Sequence, residues 1–123
     1  MSTVKPMLIL IAGPVRSGTH GDEALIKQNL ENMQKVALSV YQRGHIPVIS
    51  EWLALPLAET AGSKKIGDEI SETFLYPVAH RLLARCDGII RIAGESKGAD
   101  NDMLLARELG LTCFASLEAI PEV

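Results

Sequence analysis

Aromatic side chains make up only 4% of this sequence: one Trp, two Tyr and two Phe. An electron-transfer flavodoxin flanks its flavin with aromatics and needs several hydroxyls directly after its first strand. Only Ser17 and Thr19 stand in that loop here, so this class ranks last. Two cysteines, Cys86 and Cys113, are too few for a secreted disulfide scaffold and read as thiols of a cytoplasmic protein. The longest strongly apolar run, Met7 to Ala12, falls far short of the ~20 residues that cross a bilayer. Met1 to Pro6 is too short for a signal peptide, and no apolar region with a cleavage site follows it. Lysine and arginine number 12 against 15 aspartates and glutamates, a net charge of −3. That balance argues against nucleic acid as a partner, which requires a basic face, and the missing apolar span argues against a membrane.

Several catalytic signatures are missing as well. The glycine-containing loops carry neither G-x-x-x-x-G-K-[ST] nor G-x-G-x-x-G; Gly94 to Gly98 does spell G-x-S-x-G around Ser96, but a Ser-His-Asp hydrolase is not expected. His20, His45 and His80 share no metal-ligand spacing, and the cysteines add none. Neither a metal nor another cofactor is expected.

What is present is a regular alternation of elements in a chain of 123 residues, which fits one domain over 1–123. Met7 to Ala12 reads as a central strand, ended by Gly13-Pro14. Ile26, Leu30, Met33, Ala37 and Val40 recur at helical spacing, so Asp22 to Gln42 is an amphipathic helix, started by Asp22 or Thr19 and stopped by Gly44. Ile46 to Ile49 is a short second strand. Glu51 to Gly62, broken by Pro56, reads as a loop with one helical turn at most. Lys64 to Arg85 is helical, with a kink or two abutting helices at Pro77. Gly88 to Ala93 is a third strand, Gly94 to Gly98 a loop, Ala99 to Leu109 a helix stopped by Gly110, and Thr112 to Ala115 a fourth strand. Ser116 to Val123 is a tail with room for a single helical turn.

Buried-type strands alternating with helices give an α/β fold: a flavodoxin-like or Rossmann-like three-layer sandwich around a parallel sheet of four or five strands, order 2-1-3-4(-5). Ligands of such sheets bind beyond the carboxyl ends of the strands, at the switch point. Here two loops meet at that point. The first, Gly13 to Gly21, offers Gly13, Arg16, Ser17 and Gly18. The second offers Ser96 and Gly98. Both are suited to phosphate or sugar, the second also through the start of the helix behind it, whose free N–H groups and dipole favour an anion. Asp102 is placed in the first turn of that helix. Glu51 and Trp52 follow the second strand directly and form the base-side wall, with Trp52 able to stack on a base.

Three stretches together resemble the nucleoside 2-deoxyribosyltransferase-like family, which includes 2′-deoxynucleoside 5′-monophosphate N-glycosidases. They are ILIAGPVRSG at Ile9 to Gly18, VISEW at Val48 to Trp52, and CDGII…ESKGADNDMLLARELG at Cys86 to Gly110. The resemblance implies cleavage of the N-glycosidic bond of a (deoxy)nucleoside or its 5′-monophosphate by a carboxylate nucleophile, with hydrolysis or transfer of the sugar. It implies a homodimer or higher homo-oligomer. It puts the nucleophile on Asp102, where the family pattern S-x-G-x-x-x-E has glutamate. The family's sugar-orienting aspartate falls near Ala79 or His80, so His80 is its substitute in the catalytic set. The strand 1 tyrosine of some members is Leu10 here. The shorter acid at 102 leaves a second expectation, a catalytically inactive nucleotide-binding module on the same scaffold.

Overall fold

A computed structural model describes residues 4–123; the start of the Met1 to Pro6 reading lies outside the described residues. Four parallel strands, β1 (Leu8–Ala12), β2 (Ile46–Val48), β3 (Gly88–Arg91) and β4 (Thr112–Phe114), form one sheet in the order β2-β1-β3-β4. Leu10 of β1 pairs with Val48 on one side and Ile89 on the other, so β1 is central. The helices are α1 (Glu23–Gln42), α2 (Glu51–Thr60), α3 (Glu69–Leu83) and α4 (Lys97–Glu108), and a 3₁₀ turn spans Leu117–Ala119.

The period of two in β1 divides the core. Ile9 and Ile11 face Met33, Ala37 and Val40 of α1, joined by Phe114 and Ile120. Leu10 and Ala12 face the other way, among Leu83 of α3 and Ala99 and Ala106 of α4. The result is a flavodoxin-like three-layer sandwich with both faces of β1 buried from Ile9 to Ala12.

Local chemistry fixes the helix ends. Asp22 caps α1, its carboxylate accepting from the N–H groups of Ala24 (2.8 Å) and Leu25 (3.3 Å). Thr19, the other candidate, instead donates its hydroxyl to the Arg16 carbonyl at 2.6 Å and shapes the loop. Gly44, at φ +95°, lets the chain leave α1 with the His45 N–H on the Val40 carbonyl and its own on that of Tyr41.

Four stretches differ from the sequence reading. Glu51 to Gly62 is mostly helix, not loop: α2 runs through Pro56, which forfeits only the bond to the Trp52 carbonyl, while Ala54 and Ala58 are buried and hold the element in place. The segment expected from Lys64 becomes helical only at Glu69, because Asp68 turns the chain. Its carboxylate accepts from the Ser71 N–H (2.9 Å), the Ser63 hydroxyl (2.7 Å) and the Lys64 N–H (2.7 Å), which holds it well below the usual carboxylate range. α3 then continues through Pro77 as one helix. α4 begins at Lys97, two residues early, because the Ser96 hydroxyl caps it by accepting from the Ala99 N–H at 3.1 Å. Gly98 is therefore helical, and Asp102 lies in the second turn, not the first. Strand ends shift by a residue or two, no fifth strand is present among the described residues, and the tail carries its single turn at Leu117–Ala119.

Candidate active site

A cleft of about 420 Å³ opens beyond the carboxyl ends of β1 and β3, the switch point of the sheet. The loops after those strands touch. A Cβ on Gly94, whose φ is +125°, would lie 2.9 Å from Cγ of Pro14, and one on Gly13 would lie 3.1 Å from Cβ of Ile92. Glycine at both positions lets each loop pack closely on a side chain of the other, Pro14 and Ile92. Gly13, Arg16, Ser17 and Gly18 line the cleft from the first loop. Ser96, Gly98 and Asp102 line it from the second loop and α4, and Glu51 from the start of α2. Trp52 and His80 do not line it. Trp52 is 44% exposed on α2. His80 is exposed on α3, its ring 6.4 Å from that of Tyr76.

The second loop is held by an arginine that the sequence reading passed over. Arg91, the last residue of β3, donates from Nε and Nη2 to Oδ1 of Asp100 (3.1 and 2.8 Å). Nη1 donates to the Ile92 carbonyl at 2.8 Å, and Nη2 also reaches the carbonyls of Gly94 (3.0 Å) and Ser96 (3.4 Å). A planar fork with several donors suits this work; a lysine would hold one or two of these acceptors. Asp100 thereby ties the first turn of α4 back to the end of β3.

Asp102 is the electrostatic centre. It is 8% exposed, and its Oδ1 has no hydrogen-bond partner in the protein. Burial, and then the negative charge of nearby Glu51, push its carboxyl up to about 7. Glu51 is raised as well by burial, partly opposed by bonds to its own N–H and to the Ser50 hydroxyl, the latter at 3.2 Å. Two desolvated carboxyls in one cleft resist ionising together, so the second charge appears only as pH passes about 7.

The wall of α3 was missed by the sequence reading. Glu72, Leu75, Tyr76 and Ala79 line the cleft at i, i+3, i+4 and i+7. That spacing is visible in the sequence, but Glu72 reads as a solvated acid until the helix is placed. Among the described residues no group of three or more His, Cys, Asp or Glu is placed to hold a metal ion. No helix among them is long and apolar enough to cross a membrane.

Fold and cleft together define a flavodoxin-like α/β protein with a paired-carboxylate pocket at its switch point. Comparison of the chain with models of protein families gives no match, and comparison with curated proteins gives none either.

Proposed function

We propose that the cleft cleaves an N-glycosidic bond in a (deoxy)nucleoside or its 5′-monophosphate, by hydrolysis or by transfer of the sugar. The observation that carries this reading is Asp102: buried, with an unpartnered oxygen, beside a second desolvated carboxyl. Resemblance to the deoxyribosyltransferase-like family supports it from the sequence side. Glycosyl transfer through an oxocarbenium-like transition state uses such a pair.

The ionised carboxylate of Asp102 attacks the anomeric carbon and forms a C–O ester bond as the C–N bond breaks. The departing base takes that electron pair and a proton from the carboxylic acid of Glu51. Water then attacks the same carbon, returns its proton to Glu51 and frees Asp102; a second base in place of water gives transfer. Ser96, Gly98, Ser17 and Gly18 would contact sugar hydroxyls, and Tyr76 supplies a ring beside Gly98. Trp52 and His80 have no part in this scheme because neither lines the cleft.

Incubation with common nucleosides and their 5′-monophosphates is expected to release free base, detected chromatographically. Asp102→Ala should lower the rate by at least about a hundredfold. Because the reaction needs one proton on the carboxyl pair, and the last proton leaves the pair near 7, kcat/KM should be bell-shaped and fall through about 7 on its alkaline limb. Absence of base release from every substrate would remove the catalytic reading.

One observation favours a binding-only module: aspartate stands where the resembling family has glutamate, one methylene longer. A displacement of ~1 Å costs on the order of a hundredfold in rate. Thermal stabilisation by nucleosides without base release would select this reading, and a gain of turnover in Asp102→Glu would show the remaining geometry to be competent.

For assembly we propose a homodimer or higher homo-oligomer. Trp52, Leu53 and Leu57 on α2 leave an apolar face 43–46% exposed beside the cleft. Light scattering after size exclusion tests this directly.

A further inference from the structure

Arg16 is the cation of the first loop, and the sequence reading gives it a phosphate or sugar to hold. In the structure its guanidinium is already engaged. Nη2 is ion-paired with Oε1 of Glu72, which reaches across from the first turn of α3. The loop before α3 closes on the same group, since a Cβ on Gly67 would lie 2.9 Å from Nη1 of Arg16. Arg16 and Glu72 both line the cleft, and their side chains are 41% and 36% exposed, so the pair stands at its mouth.

The remaining charges point the same way. Lys97 is the other cation lining the cleft, against three further acids that line it, Glu51, Glu95 and Asp102. With Arg16 and Glu72 cancelling, the walls carry more acid than base. A phosphate seated on Arg16 would have to displace the Glu72 carboxylate and then lie beside it, and like charges so placed repel strongly in a partly desolvated site. A sugar hydroxyl meets no such penalty: it can donate to the carboxylate and leave the ion pair intact.

We propose that Glu72 is a specificity-determining residue, which by holding Arg16 makes the cleft take a (deoxy)nucleoside in preference to its 5′-monophosphate. The inference rests on the nucleoside reading of the site and narrows it to the substrate without a phosphate.

Calorimetric titration of the Asp102→Asn protein, which cannot turn substrate over by the proposed route, tests it with the common nucleosides and their 5′-monophosphates. Each nucleoside that binds is expected to do so at least about fivefold more tightly than its monophosphate. Adding Glu72→Gln should shrink or reverse that ratio by about fivefold, through a gain in monophosphate affinity as Arg16 is freed. Glu72→Ala should act in the same direction. An exposed ion pair contributes little to stability, so both variants are expected to keep the thermal midpoint. Tighter binding of monophosphates with Glu72 present, or a ratio that neither variant moves, overturns the proposal. If base is released mainly from monophosphates, selectivity is refuted while the glycosidase reading stands. If the binding pattern holds but wild-type protein releases no base, catalysis is refuted while selectivity stands. Binding of no nucleoside and no monophosphate overturns both.

Discussion

Asp102 costs the folded chain stability in order to be present. Its carboxyl stands at about 7 when folded against an ordinary 3.8, so the native state holds a proton that the unfolded state releases. Below the ordinary value the residue costs nothing, because it is neutral in both states. The cost grows as pH rises through the window between the two values and is complete above about 7. Asp102→Asn, neutral at every pH, should therefore stabilise the protein by on the order of 2–4 kcal/mol at pH 8 and by little at pH 4. Thermal melts at the two pH values check this; a gain at pH 4 equal to that at pH 8 would contradict it. A group that weakens the fold and lines the cleft fits a functional use better than a packing one.

At the scale of elements, the site depends on how β3 passes into α4, and Arg91 governs that passage. Arg91→Lys should keep the charge beside Asp100 but lose most of the bonds to the carbonyls of Ile92, Gly94 and Ser96. We expect a loss of ~1–2 kcal/mol in chemical denaturation and faster amide exchange across residues 92–96, with ligand affinity falling alongside. Unchanged exchange there would remove Arg91 from this role. The strands, α1 and the meeting of the two glycine-containing loops were legible in the sequence, because apolar runs, helical spacing and glycines are local signals. α2 was not: Pro56 is a strong local breaker, and the buried Ala54 and Ala58 that outweigh it declare themselves only once a partner surface exists. Of the site, Asp102, Arg16 and Ser96 were legible from their places after strands. Tyr76, Glu72 and the exclusion of Trp52 and His80 from the cleft were not, because they depend on how α2 and α3 are rotated about their axes. A one-residue change of position on a helix turns a side chain by about 100°. That rotation separates Glu51 from Trp52, and Ala79 from His80.

Across the whole molecule, the face of the sheet opposite α3 and α4 is completed by the C-terminal tail, which buries Ile120 against α1 and β1. His45 fastens it. Its Nδ1 accepts from the Met7 N–H at 3.0 Å, and its Nε2 donates to the Pro121 carbonyl at 2.6 Å, so one ring joins the start of β1 to the tail. Arg43 adds a bond from Nη1 to the Ile120 carbonyl at 3.1 Å. His45→Ala would leave both partners of the ring without their bond at a part-buried place. A loss of about 3 kcal/mol is expected in chemical denaturation, and a loss below about 1 kcal/mol would show the tail to be held by apolar contact alone. The position of Trp52 bears on how such measurements are read. The sole indole of the chain is 44% exposed on α2 and belongs to the apolar face offered for assembly, so its emission would report that face more than the melting of the core, and circular dichroism is the sounder gauge of unfolding. The same indole is bonded in sequence to Glu51, so a change in its brightness on adding a nucleoside would signal events at the rim of the pocket and leave global folding out of the signal.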